Sequence, residues 1–564
     1  MSNPFRFRYA WLVLAALLSA ALAYAQLTLP AILGDHMVLQ RDMPVPVWGM
    51  ATPGSRVAVS FAGQTVATQA DSGGYWMLRL APLATNSTTQ DMTVTETDNA
   101  GKTISSLEVR DVLVGEVWLA GGQSNMAYGL KAMEGSDAYL AAPTNPQLRL
   151  FNVAHATAAE PIGMHQGEKP GDVDAGWALA DSRSAASFSA VGYLFAAELQ
   201  KTLQCPVGII SSNWGGTPIK TWMSMDAFAA SPQLAPFIEE YQKALATHQQ
   251  VLAHPEMESA YQAAEKLWRQ QVGDPYDAAM KLWFQAQASG ADPGPRPKPE
   301  RPEPQNPDLT GMPNSETRPQ TPSISWNAMF APIVPYALRG VLWYQGEANV
   351  SQYREYGLQL RTMVEDWRRK WAEPNLEFLC VQLPGFGNNE ETSDLAHLRE
   401  QQVSVLQLPH TGLAITWDVG DPGNVHPASK VDVAHRLALI ARGQVYHEPV
   451  EYSGPTERSV AISGPEVRVS FDHVAACLII GQAPWIARDD QPIPTNELLG
   501  FTLAGADGVF HPATAKIDGD AVVLRAPDVP APRYVRFAWD NTPRANLYNS
   551  AHLPAAPFRT DPQP

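Results

Sequence analysis

The rhythm of hydrophobic and polar positions changes twice along the chain. From about residue 26 to 110, short alternating runs at 45–48, 56–61 and 75–80 are separated by Pro53-Gly54, Asp71-Ser72-Gly73-Gly74 and Asp98-Asn99-Ala100-Gly101. Alternation of period two between turn signals predicts a small β-sandwich. From about Asp111 the apolar runs lengthen and alternate with helical periodicity. Strands are predicted at 112–120, 206–212, 339–344, 376–383 and 412–418, with amphipathic helices at 187–203, 352–371, 394–408 and 428–446. Apolar strands that alternate with helices predict a parallel sheet covered on both faces, an α/β fold. Beyond about Tyr446 the runs shorten again, at 467–471, 477–480, 521–524 and 534–537, and predict a second β-rich unit.

Two stretches interrupt this plan. Helical periodicity over 231–288 and a Pro-rich stretch at 291–322 mark an insertion, either placed over the rim of the site or a decoration with no catalytic role. Residues 1–25 carry Arg6 and Arg8, an apolar run at 11–22 and Ala23-Tyr24-Ala25, the pattern of a cleaved export signal. The expected division is therefore a signal at 1–25 and an N-terminal β-sandwich at 26–110. An α/β unit follows in two parts, 111–224 and 326–446, around an insertion at 225–325, and a C-terminal β-rich unit spans 447–564. The expected location is the periplasm or the medium, with no membrane association after cleavage.

Composition changes little in this picture. A chain of 564 residues exceeds a single core, and 45% hydrophobic with 17% charged residues is ordinary for a globular protein. A formal charge of −17 argues against nucleic acid and anionic membrane surfaces, which need basic patches. Cys205, Cys380 and Cys477 cannot all pair, and no Cys or His pairs fall at metal-ligand spacing. No metal and no cofactor is expected.

The candidate chemistry lies just past the strand ends. The run 112–120 meets Gly121-Gly122 and then Ser124, at the carboxyl end of a predicted central strand, where ligands bind in open α/β sheets. Ser212-Asn213-Trp214-Gly215-Gly216-Thr217, Gln345-Gly346-Glu347-Ala348-Asn349 and the stretch from Asp421 to His426 follow three other strands. Ester hydrolysis by a serine needs a His to take its proton, an acid to orient the His and donors for the oxyanion. The order Ser, Asp, His also occurs in α/β-hydrolases, but their G-x-S-x-G fails here at Met126.

Gly122-Gln123-Ser124-Asn125-Met126, Asn213-Trp214-Gly215-Gly216-Thr217, Trp343-Tyr344-Gln345-Gly346-Glu347-Ala348-Asn349 and Gly420-Asp421 with His426-Pro427 resemble the sialate O-acetylesterase family of SGNH (GDSL-like) hydrolases. The resemblance extends from Met37-Val38-Leu39-Gln40-Arg41 to Leu553-Pro554-Ala555-Ala556-Pro557-Phe558-Arg559-Thr560. It implies an SGNH-type three-layer α/β/α sandwich flanked by the two β-rich units. It implies Ser124 as nucleophile and His426 as general base and then acid. The oxyanion hole would combine the N–H groups of Ser124 and Gly215 or Gly216 with the amide of Gln345 or Asn349. Asp421 is the first choice to orient His426 and Asp418 the second, with a dyad steadied by a backbone carbonyl as the remaining alternative. Glu347 is expected as a structural hydrogen-bond partner, Trp214 and Trp343 as core aromatics, and His435 as structural; His155 and His165 carry no signal.

The implied activity is removal of acetyl groups from sugar hydroxyls through an acetyl-serine, with 9-O-acetylated sialic acid the substrate the family name suggests. Acetylated xylan or xyloglucan is the alternative substrate class. A non-catalytic carbohydrate-binding protein on an esterase scaffold is the alternative from another class. The oligomeric state is left open.

Overall fold

The computed structural model describes residues 27–162, 176–288, 294–295, 297–304, 319–387, 394–483 and 496–562. The expected export signal, His165 and much of the Pro-rich stretch lie outside these residues.

Seven strands build the central sheet: β1 Thr103–Gly122, β2 Asn145–Asn152, β3 Trp177–Ala180, β4 Val207–Asn213, β5 Gly340–Tyr344, β6 Glu377–Val381 and β7 Thr411–Ala414. Their order is β7-β6-β5-β1-β4-β2-β3. Every neighbouring pair is parallel except β2 with β3, which is antiparallel at the edge. The helices that matter for the site are α1 Ser124–Ala127, α2 Ala190–Leu203, α3 Tyr353–Trp371, α4 Asp394–Val403 and α5 Val431–Ile440. Strand side chains alternate between faces. Trp118 of β1 therefore meets Phe195 of α2 at 5.1 Å, whereas Trp343 of β5 meets Trp367 of α3 on the other side at 5.7 Å. The result is the predicted three-layer α/β/α sandwich. The strands β4, β5 and β6 are buried along their whole length, which is why they read as unbroken apolar runs.

β2 and β3 were not predicted. β2 begins with the polar Asn145-Pro146-Gln147, and β3 is four residues with no β-branched side chain, so neither carries a strand signal. β1 is longer than the run that announces it. Its first part pairs antiparallel with Asn86–Thr97 of the N-terminal β unit, and its last seven residues pair with β4. The expected division at 110/111 thus falls inside one strand, and the hydrophobic core is continuous across it.

Both ends of the chain grip the sheet. The carboxylate of Glu116 in β1, fully buried, accepts from Arg41 Nε at 2.6 Å, Arg339 Nε at 2.9 Å and Gln40 Nε2 at 3.1 Å. A buried carboxylate of this kind is tolerated because every partner is present. At the other end the C-terminal unit has its own core around Val469, Phe471, Leu524 and Phe537, into which Trp417 inserts from the segment after β7. Arg399 of α4, also fully buried, donates to the carbonyls of Leu383, Pro384, Asp540 and Asn541 at 2.7, 2.8, 2.7 and 3.0 Å. It ties the segment after β6 to the C-terminal unit. The insertion forms the helices Ala235–Ala253, Pro255–Trp268 and Asp274–Ala288, mostly exposed. Near its end, Gln320 Nε2 donates to Gly216 O at 2.9 Å. Cys205 and Cys380 are buried free thiols and Cys477 is an exposed one.

Candidate active site

β1 ends where only glycine fits. Gly122 has φ +142°, and a Cβ there would lie 2.1 Å from the carbonyl oxygen of Tyr344 in β5. This close approach lets the chain turn directly into α1, whose first residue is Ser124. His426 stands in the segment between β7 and α5, and its Nε2 lies 2.7 Å from Ser124 Oγ. That distance permits proton transfer from hydroxyl to imidazole.

The His426 loop is shaped by its own side chains. Asn424 Oδ1 accepts from His426 N at 3.0 Å, Asp421 Oδ1 accepts from Gly423 N at 2.9 Å, and Asp421 O accepts from Asn424 N at 3.1 Å. Asp421 thus holds the turn that presents the histidine. Asp418, the second candidate acid, is engaged elsewhere: its buried oxygens accept from Arg436 Nη1 and Nη2 at 2.6 and 2.7 Å and from Tyr548 at 3.0 Å. A carboxylate so paired with Arg436 is not available to His426.

The turn after β4 lies against the serine. A Cβ on Gly215 would sit 3.3 Å from Ser124 Cβ, and Gly216 follows in the left-handed region at φ +76°. The two candidate amides differ. Gln345 Nε2 faces three internal acceptors, Gln123 Oε1 at 3.1 Å, Thr217 O at 3.2 Å and Asn349 Oδ1 at 2.8 Å, which occupy both of its hydrogens. Asn349 Oδ1 also accepts from Ile219 N at 3.0 Å, while its Nδ2 has no acceptor among the described residues. Gln123 Oε1 further accepts from the N–H groups of Gly346 and Ala348 at 3.3 and 3.2 Å. It ties the serine turn to the loop after β5.

A second knot joins three loops behind the serine. Asn125 Nδ2 donates to Glu347 Oε1 and, at 2.9 Å, to Val425 O, next to His426. Asn125 Oδ1 accepts from Lys430 Nζ at 2.6 Å. The lysine is buried, with its ammonium 4.8 Å from the Tyr128 ring centre and 5.7 Å from that of Tyr344. Burial pulls the Lys430 pKa down to about 7 against the opposing charge of Glu347. Burial likewise raises the pKa of Glu347, against the bond from Asn125. Glu347 therefore occupies the expected bonding role, to a partner the sequence did not reveal.

Trp343 is a core residue, as expected. Trp214 is only half-buried and stacks on His155 with ring centres 4.4 Å apart, and His155 Nε2 lies 2.8 Å from Asn213 O. His155 thus lies beside the glycine turn, although nothing in its sequence context marks it. His435 contacts Glu198 at 3.0 Å, away from the serine. A cavity of about 460 Å³ opens beside Glu347 and Val425.

A three-layer sandwich with a serine and a histidine brought together past its strand ends defines the class, a carboxylic ester hydrolase. Residues 114–286 and 326–441 match the family described as carbohydrate esterase, sialic acid-specific acetylesterase. A solved carbohydrate acetylesterase from Xanthomonas citri is similar, with 34% identity and a TM-score of 0.72 over 95% of this chain and 100% of that one. The sialate O-acetylesterase of Rattus norvegicus is 28% identical over 93% of this chain and 92% of its own length. That of Homo sapiens is 26% identical over 76% and 73%. The chain belongs to the sialic acid-specific acetylesterase family of carbohydrate esterases, and its reaction is carbohydrate O-deacetylation.

Proposed function

We propose that the chain removes acetyl groups from sugar hydroxyls through an acetyl-Ser124 intermediate. The observation that carries this reading is the 2.7 Å approach of His426 Nε2 to Ser124 Oγ. As Oγ attacks the acetyl carbonyl, Nε2 takes its proton and the carbonyl electron pair moves onto oxygen. The N–H groups of Ser124 and Gly215 and the Nδ2 of Asn349 receive that oxyanion, each such donor contributing roughly 3 kcal/mol to the transition state. Gly216 supplies the turn, and Gln345 braces Asn349 from behind. Collapse breaks the bond to the sugar oxygen, which leaves with the proton from His426. Water, deprotonated by the same nitrogen, then attacks the acetyl carbon and releases acetate. Asp421 acts by holding the loop that aims the imidazole.

The residues at 1–25 have the pattern of an export signal, so the proposed site of action is the periplasm or the medium. The test is acetate release by the purified chain from 9-O-acetylated sialic acid, acetylated xylan and acetylated xyloglucan, beside Ser124→Ala. The expected result is turnover on at least one ester that drops about 10⁴-fold or more in the variant. A Ser124→Ala protein that retains activity sinks the mechanism.

A further inference from the structure

The turn that lies against Ser124 is built of two adjacent glycines, Gly215 and Gly216, and glycine pairs leave a backbone free to choose among several conformations. Its shape is therefore set by what holds it. Thr217 Oγ1 donates to Trp214 O at 2.7 Å and closes the turn from within. Gln320 Nε2 donates to Gly216 O at 2.9 Å and comes from the last residues of the insertion. The chain then enters a short helical turn, Ile219–Trp222. Ile219 N donates to Asn349 Oδ1 at 3.0 Å, and Gln345 Nε2 faces the same oxygen at 2.8 Å. With Oδ1 engaged on both sides, Nδ2 is the end of that amide left for the oxyanion.

Lys220, the residue after Ile219, is gripped by the insertion twice. Its carbonyl accepts from Ser323 N at 3.0 Å. Its Nζ lies 2.5 Å from Glu240 Oε1 and 5.8 Å from the Phe237 ring centre. Glu240 and Phe237 belong to the insertion helix Ala235–Ala253, which is itself moored to the α/β unit, because Tyr241 donates to Ala159 O. One stretch, 214–222, thus carries the Gly215 N–H and orients the Asn349 amide, and the insertion holds it at Gly216 and at Lys220. We propose that the insertion is a positioning element of the oxyanion hole, acting through Gln320 on Gly216 and through Glu240 on Lys220. The inference rests on the oxyanion hole proposed above, and both residues are positioning residues that act through the turn.

The test measures kcat and KM for Gln320→Leu, Glu240→Leu and the double variant of the full chain. The esters are 4-nitrophenyl acetate and whichever of the three sugar acetates named above the wild type turns over fastest. Each single variant is expected to lower kcat about three- to tenfold and the double variant more, with KM little changed. The loss should be equal on both esters, because the same oxyanion forms on each. Glu240→Gln, which keeps an acceptor for Lys220, should retain most of the activity. In an Asn349→Ala background Glu240→Leu should cost less than about twofold, because the amide it orients is gone. If Glu240→Leu does not fold, Lys220→Met breaks the same pair from its other end and is judged by the same outcomes. A change confined to KM on the sugar acetate, a lower melting temperature with kcat intact, or losses that add fully to that of Asn349→Ala overturn the inference. Failure of the mechanism itself is read separately, from a Ser124→Ala protein that retains activity.

Discussion

Lys430 sits inside the protein with no carboxylate within ion-pair distance among the described residues, and its bond to Asn125 explains why it is there. An asparagine amide can be turned end for end, and a donor on Oδ1 forces Nδ2 toward Val425 O and Glu347. Replacing Lys430 by Met removes that donor at similar volume. The expected result is a kcat 10- to 100-fold lower with KM little changed, in the manner of groups that orient catalytic residues from behind. Stability should respond to pH as well. In the unfolded chain Lys430 keeps its ordinary value of 10.5, whereas in the fold burial lowers it to about 7. Between these values the unfolded state holds a proton that the folded state has released, so stability rises with pH through that window. Below pH 7 both states are protonated and the cost of burying the ammonium is fully present. Thermal melts should therefore show wild type gaining on Lys430→Met as pH rises from 7 to 10. The raised pKa of Glu347 acts with the opposite sign, starting lower, near its ordinary 4.5. Asn349→Ala tests the oxyanion assignment, with an expected loss of about 10²–10³ in kcat. At this scale Ser124 and His426 were legible because each stands in a polar string after an apolar run. Lys430 was not, since a lone lysine before a helix is most often a solvated one.

Strands and their exits explain why those residues meet. The close contact of Gly122 with Tyr344 sets the distance between the ends of β1 and β5. Gly122→Ala should cost at least about 2 kcal/mol, because both the positive φ and the 2.1 Å approach resist a side chain. Melting temperature and acetate release should fall together. The elements over which periodicity was strong were read with boundaries near those observed: 352–371 against Tyr353–Trp371, and 206–212 against Val207–Asn213. The edge strands β2 and β3 escaped because sequence shows burial, and Asn145-Pro146-Gln147 and the short β3 show little of it. Side-chain pairing across elements was equally hidden. Nothing in the order of residues says that Asp418 faces Arg436 rather than His426.

In the whole molecule the C-terminal unit was legible as a unit, but its packing was not. The reason is physical: Arg399 joins the two parts through four backbone carbonyls, and a carbonyl looks the same whatever residue bears it. Arg399→Met leaves those acceptors buried without donors, at about 1–3 kcal/mol for each that finds no water. The expected outcome is a lower melting temperature, read in thermal melts of wild type and variant side by side. A melting temperature equal to that of wild type would show that Arg399 does not hold the two parts together. The N-terminal unit is joined through Gln40 and Arg41 on Glu116 and also through the unbroken backbone of β1 from Thr103 to Gly122. In mechanical terms this strand is a continuous line from the β unit to the turn that carries Ser124. A pull on the β unit, from a surface or a fused partner, reaches the serine turn with no slack loop to absorb it.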